Sequence, residues 1–146
     1  MNSSLSAPCV YYARGVEGLQ WDSIRRRAAR ARTELARYEI EVIDPVALGR
    51  AAELKTPAEI VESDLHHLKG CDAVLMDMSI AGRNYVGCCC ELVYAFQWQI
   101  PAIVYVGRSG NGSRKWLIYH SSAVCRSLRC AVETTAATIK TRRSSR

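Results

Sequence analysis

The sequence predicts a doubly wound α/β domain, five short parallel strands between two layers of helices. Three observations carry this. Strand-like and helix-like segments alternate along the chain, which demands crossover connections and parallel pairing. Two strand-like runs, Ala73 to Met78 and Ile100 to Val106, are mostly apolar, as central strands covered on both faces are. At 146 residues, 49% hydrophobic and 23% charged, the chain can build one proper core and is too short for two ordinary domains. We therefore expect a single domain over residues 1–146, with 1–8 and 141–146 flexible.

Taken in order, Cys9-Val10-Tyr11-Tyr12-Ala13 is rich in β-branched and aromatic residues and reads as the first strand, ending at Arg14-Gly15. Ile24, Ala28, Ala31 and Leu35 then recur at spacings of four, three and four, the stripe of an amphipathic helix over about Leu19 to Tyr38. Glu39 to Asp44 alternates polar and apolar until Pro45, a second strand. A short helical piece follows over about Val46 to Leu54. Thr56, Pro57 and Glu59 form a capping box with proline at the first helical position, so a helix starts there, runs to Lys69, buries Val61, Leu65 and Leu68, and stops at Gly70. Ala73 to Met78 is the third strand, and a helix from Cys88 to about Gln99 follows. The fourth strand is Ile100 to Val106. Gly107 to Ser113 reads as a flexible loop by composition. Lys115 to Ser122 stays ambiguous between a short helix and an extended piece. Ala123-Val124-Cys125 is a short fifth strand, and Ser127 to Ile139 closes the chain as a helix. Five strands in so short a chain suit the flavodoxin-like order 2-1-3-4-5, a three-layer α/β/α arrangement.

Composition narrows the function. No apolar run approaches the length of a membrane span and the N-terminus does not read as a signal peptide, so a cytoplasmic protein without membrane contact is expected. The formal charge of +6 sits largely in Arg25-Arg26-Arg27, Arg30, Arg32 and Arg37 and in the tail Lys140 to Arg146. The first group reads as the solvated face of a helix and the second as a frayed end, neither with interleaved aromatics, so direct nucleic-acid binding is not expected. Attraction of small anions is the expected consequence. Seven cysteines include no C-x-x-C pair, and the adjacent Cys88, Cys89 and Cys90 diverge on a helix. Reduced, mostly buried thiols are expected, with no metal and no cofactor.

In an open doubly wound sheet the ligand sits beyond the carboxyl ends of the strands, where the strand order reverses. Here that crevice lies between strands one and three. It is bordered by Ala13-Arg14-Gly15-Val16-Glu17 and by the loop Ser79 to Gly87, whose following helix offers free amides to a phosphate or carboxylate. Glu91 falls about one turn into that helix among apolar neighbours, a carboxylate aimed either at solvent or into the crevice. Asp64 sits mid-helix between Ile60, Val61, Leu65 and Leu68, and His66 and His67 read as surface residues. Tyr11 and Tyr12 alternate across the sheet, so one is core and the other edges the pocket.

Glu62-Ser63-Asp64-Leu65, Gly70-Cys71-Asp72-Ala73-Val74-Leu75, Gly87-Cys88-Cys89-Cys90-Glu91-Leu92-Val93-Tyr94-Ala95 and Ile100-Pro101-Ala102-Ile103 together resemble the nucleoside 2-deoxyribosyltransferase superfamily, which includes nucleoside 5′-monophosphate N-glycosidases. The resemblance spans about residues 9 to 140 and is specific from Asp64 to Val106. It implies a flavodoxin-like fold, a small-molecule nucleoside or nucleotide as substrate, and a homodimer or higher oligomer whose sites borrow residues from a neighbour. By position, it implies that Glu91 attacks the anomeric carbon and that Asp64 holds the base or assists its protonation. Asn84, Tyr85 and Gly87 are implied on the substrate's sugar or phosphate side, Tyr12, Arg14 and Gly15 on its base side, and Ser79 and Tyr94 as further substrate-binding residues. His120 and Ser121 are candidates for a contribution across a subunit boundary. The implied activity is cleavage of an N-glycosidic bond through a glutamate glycosyl-enzyme, with deoxyribosyl transfer to another base or to water. Glycosidic cleavage suits these residue types on its own terms: a carboxylate captures oxocarbenium character while a second polar group helps the base to leave. Two alternatives remain: an inactive nucleotide-binding module of the same fold, and a cysteine enzyme using Cys88 at a helix start.

Overall fold

A computed structural model describes residues 6–146. The sheet has five parallel strands in the order β2-β1-β3-β4-β5. They are β1 (Cys9–Arg14), β2 (Glu41–Ile43), β3 (Ala73–Asp77), β4 (Ala102–Tyr105) and β5 (Ala123–Cys125). Central β1 pairs on both edges, Tyr11 lying opposite Ile43 of β2 and Val74 of β3, while Arg14 lies opposite Asp77 at the carboxyl end. Every residue of β3 is buried, which accounts for its nearly unbroken apolar sequence.

Among the described residues six α-helices flank the sheet: α1 (Trp21–Ala36), α2 (Pro45–Ala51), α3 (Pro57–Lys69), α4 (Val86–Gln97), α5 (Lys115–His120) and α6 (Leu128–Ser144). Two cores result, one on each face. Tyr11, Val74 and Met76 pack with Leu68, Leu92 and Ala95 on one side, and Val10, Tyr12 and Leu75 with Ala28, Leu35 and Val132 on the other. The stripe Ile24, Ala28, Ala31 and Leu35 is buried as its spacing predicts.

Element boundaries shift where side chains take other duties. β2 is only three residues long because Asp44 leaves the ladder to cap α2, accepting from the backbone N–H of Val46 and Ala47. The capping box of α3 is present in both directions: Glu59 N–H donates to Thr56 Oγ1 at 3.2 Å, and Thr56 N–H donates to the Glu59 carboxylate at 2.9 Å. The face of α3 is less buried than expected. Val61 is 53% exposed and Ile60 41%, and Leu68 alone is fully buried: the helix packs along α2 and α4, and its N-terminal half stays exposed. The ambiguous stretch after Arg114 is the helix α5. The glycine-rich loop before it is pinned, since Asn111 is buried and its Nδ2 donates to the Met78 carbonyl at 2.8 Å.

The C-terminal end departs from the expected frayed tail. α6 continues to Ser144, and Arg143 pairs with Asp72 at 2.9 Å while Arg142 donates to the carbonyls of Asp72 and Gln99. Of the expected flexible lead, residues 1–5 lie outside the described residues. The Ser6 carbonyl accepts from Arg143, and the Pro8 carbonyl accepts from Glu41 N–H. The thiols are all free, but Cys89, Cys90 and Cys130 are exposed, so the expectation of mostly buried cysteines holds only for Cys71, Cys88 and Cys125, with Cys9 between. Among the described residues no helix is long and apolar enough to cross a membrane.

Candidate active site

α4 turns Cys88, Leu92 and Ala95 into the core at spacings of four and three. Glu91 adjoins Leu92 at the margin of that buried stripe, so its carboxylate is carried toward the sheet instead of into solvent. There it meets Tyr11. The Tyr11 hydroxyl donates to Glu91 Oε1 at 2.7 Å, a link between the first strand and the fourth helix across 80 residues of sequence.

Burial pushes the Glu91 carboxyl up to about 7; the Tyr11 hydroxyl pulls the other way, and the nearby negative charge of Asp64 adds to the rise. Tyr11 itself is held far above the ordinary phenol range by burial, with Glu91 and Asp64 reinforcing it, so it stays a neutral donor at any working pH. Asp64, half-buried on α3, is also raised by burial, with His67 opposing. The packing of α3 against α4 therefore sets two carboxyls, both raised by burial, and one phenol in mutual electrostatic range. Such a group can hold and pass protons near neutrality and can present a partly desolvated carboxylate to an electrophilic carbon.

The two loops expected to border the crevice do meet. A Cβ on Gly15 would lie 2.9 Å from Cε1 of Tyr85, so only glycine allows this approach, and the Arg83 guanidinium donates to the Glu17 carbonyl. Tyr85 is buried, with its hydroxyl accepting from Ile80 N–H at 3.1 Å, and serves as the post between the loops. Asn84 and Gly87 are exposed on the rim, and nothing lies within 4 Å of a Cβ built on Gly87.

Other candidates are placed apart from Glu91. Tyr12 faces the α1 and α6 layer and donates to Asp77 at 3.2 Å. Ser79 donates its hydroxyl and its backbone N–H to the same carboxylate. Arg14 is clamped in a buried two-point pair with Asp44, at 2.8 and 3.1 Å, with its Nε buried and without a partner among the described residues. Tyr94 is partly exposed and leans on Trp98. His120 stacks on Trp116 and Ser121 bonds back to the Leu117 carbonyl, so within one chain neither is joined to Glu91.

The sequence expectation puts Tyr12 on the substrate side, whereas the tyrosine bonded to Glu91 is Tyr11; Asp44, Asp77 and Arg27 are not singled out by sequence. Alternation shows that adjacent tyrosines face opposite layers, but which layer holds Glu91 follows from the handedness of the crossovers. For Asp77, an acid closing an otherwise apolar strand was the available signal. Among the described residues no group of three or more His, Cys, Asp or Glu side chains gathers to hold a metal ion.

Solved structures of the same architecture are numerous. A 2-deoxyribosyltransferase from Leishmania mexicana aligns with TM-score 0.68 and 16% identity over 89% of this chain and 97% of its own. The 2-deoxyribosyltransferase of Bacillus psychrosaccharolyticus aligns with TM-score 0.66 and 17% identity, covering 90% and 95%. The fold is that of the 2-deoxyribosyltransferases. The CMP N-glycosidase BcmB of Clostridium botulinum shares it too, with TM-score 0.59 and 13% identity over 88% of this chain and 98% of that one. No family model and no curated relative matches the sequence. Identities this low establish the shared fold, and the chemistry rests on the site.

Proposed function

We propose that the protein cleaves the N-glycosidic bond of a nucleoside or its 5′-monophosphate, with deoxyribose as the favoured sugar. The observation that carries this reading is the 2.7 Å hydrogen bond from Tyr11 to Glu91, which fixes one oxygen of a carboxylate whose environment keeps it poised near neutrality. Glu91 attacks the anomeric carbon as the bond to the base nitrogen breaks, forming a glycosyl ester. The departing base takes a proton from Asp64, whose burial raises its affinity for that proton. Water, or the nitrogen of a second base, then attacks the same carbon and surrenders its proton to Asp64, and Glu91 leaves as carboxylate. The Tyr11 hydroxyl holds the nucleophile's rotamer and stabilises it as a leaving group. The rim at Asn84 and Gly87 faces the sugar or phosphate side.

A homo-oligomer belongs to the same proposal. Trp116 is 78% exposed and Tyr119 69%, with Ile118 and Phe96 beside them, an apolar surface that flanks His120 and is fit to carry it to a second copy's crevice. Incubation with deoxynucleosides and their monophosphates, with free base followed by chromatography, tests the activity. Base release that persists undiminished in Glu91→Ala excludes Glu91 as nucleophile. A second reading, an inactive nucleotide-binding module, draws support from Arg14, Ser79 and Tyr85 being spent on internal bonds. It requires ligand-induced thermal stabilisation without base release from any donor.

A further inference from the structure

A polar cavity lies on the opposite face of the sheet from Glu91. It occupies about 310 Å³ between α1 and the start of α6, above the carboxyl ends of β1, β3 and β4. Its polar lining is Ser23, Arg26, Arg27 and Arg30 from α1, and Tyr12, Asp77, Ser79 and Tyr105 from the sheet side. Tyr11 and Tyr12 point to opposite faces of β1, so the sheet itself separates this cavity from the Glu91 carboxylate.

The charge in the cavity is unbalanced. Arg27 bonds Asp77 at 3.0 Å and Ser79 Oγ at 3.2 Å, so the single buried carboxylate is already matched and also receives Tyr12. Among the described residues no carboxylate pairs with Arg26 or Arg30; Arg26 donates only to the Asp22 carbonyl. The hydroxyls of Ser23 and Tyr105 have no partner either among the described residues. Two guanidiniums without a carboxylate partner, a third held in place by Asp77, and two hydroxyls unpartnered among the described residues line one concavity. Arginine forks against a low-dielectric wall match the oxygens of a tetrahedral dianion. The surface-face reading of the α1 arginines does not account for Arg27, which points inward and is anchored.

We propose that this cavity is a second binding site, for a phosphate group carried by a small molecule, independent of the Glu91 reading. Arg26 and Arg30 supply the charge, Arg27 the fixed fork, and Ser23 and Tyr105 the neutral donors. Asp77 acts as a positioning residue that keeps Arg27 aimed. Free inorganic phosphate and a phosphate ester share this chemistry, and the cavity's volume leaves room for the sugar of an ester beside the anion.

Isothermal titration of the whole chain with inorganic phosphate, with ribose 5-phosphate and with ribose tests the proposal. Both phosphates should bind saturably and ribose should not; tighter binding of the ester identifies it as the ligand class, and equal binding identifies the inorganic ion. The double variant Arg26→Gln/Arg30→Gln, whose exposed side chains leave the melting temperature unchanged, should weaken phosphate binding by at least about tenfold. Glu91→Gln should leave it unchanged. Equal affinity in the arginine double variant, or loss of binding in Glu91→Gln, places the anion elsewhere and overturns the proposal. Displacement of phosphate by a single-stranded oligonucleotide with a steep salt dependence overturns the small-molecule assignment in favour of a nucleic-acid surface.

Discussion

Glu91 carries a stability cost that can be measured without knowing the substrate. Its folded pKa of about 7 lies above its ordinary 4.5, so between those values the folded chain holds a proton that the unfolded chain has released. Stability from this group is therefore full below about pH 4.5 and is lost as pH rises to about 7, a change on the order of 3 kcal/mol. Glu91→Gln, which keeps a hydrogen-bond acceptor and removes the charge, should raise the melting temperature by several degrees at pH 8 and hardly at all at pH 4.5. Calorimetry at the two pH values checks this. Tyr11→Phe removes the donor that favours the charged carboxylate, so the acidic limb of a base-release profile should move to higher pH, with a rate loss of roughly 10- to 100-fold from one charge-assisted hydrogen bond. An unmoved limb would mean that Tyr11 does not act through Glu91. At this scale the sequence was half legible. A lone acid among apolar residues marks Glu91, whereas the substrate-side expectation falls on Tyr12 and not on Tyr11, the partner of Glu91, because the distinction depends on which helical layer crosses which face.

Among the elements, α3 shows what local chemistry can fix by itself. Thr56 and Glu59 satisfy each other's backbone donors within one turn, so the helix start is readable from four residues. Thr56→Ala should cost about 1 kcal/mol in denaturant unfolding with an unchanged m-value. The end of α6 is the opposite case. Nothing within Lys140 to Arg146 predicts a helix, and its order comes from Asp72, which is 70 residues away in sequence. Burial works against the charge on Asp72, but the Arg143 guanidinium and the Cys9 N–H outweigh it and hold the carboxyl below its usual range. Arg143→Ala should destabilise the fold by about 1 kcal/mol above pH 5, and by less as Asp72 is protonated in acid. The burial of Val61 was misjudged for a related reason: an apolar residue on a helical stripe says which face would be covered, and neighbours decide whether it is.

For the whole molecule, strand order follows from counting: five strands with helical crossovers close most simply as 2-1-3-4-5, and β3, buried throughout, and β4, buried but for Tyr105, announce themselves by composition. The proposed assembly is less legible, because exposed aromatics look the same in sequence as buried ones. Trp116 and Tyr119 lie in a stretch whose sequence is ambiguous between helix and extended chain, and only the fold leaves them outside. Trp116→Asp/Tyr119→Asp should shift sedimentation to the monomer and reduce base release, while the circular dichroism of the chain stays unchanged. Retained oligomers would move the interface to another surface.

The central position of β1 also has a consequence for synthesis. β1 emerges from the ribosome first among the strands, yet its second edge is closed only by β3, so the chain must reach Asp77 before that ladder is complete. Until then, a nascent chain holds a strand of tyrosine and valine with one open hydrogen-bonding edge. Chains halted at Lys69 should therefore bind chaperones and aggregate, and extension through Asp77 should mark the length at which protease resistance begins.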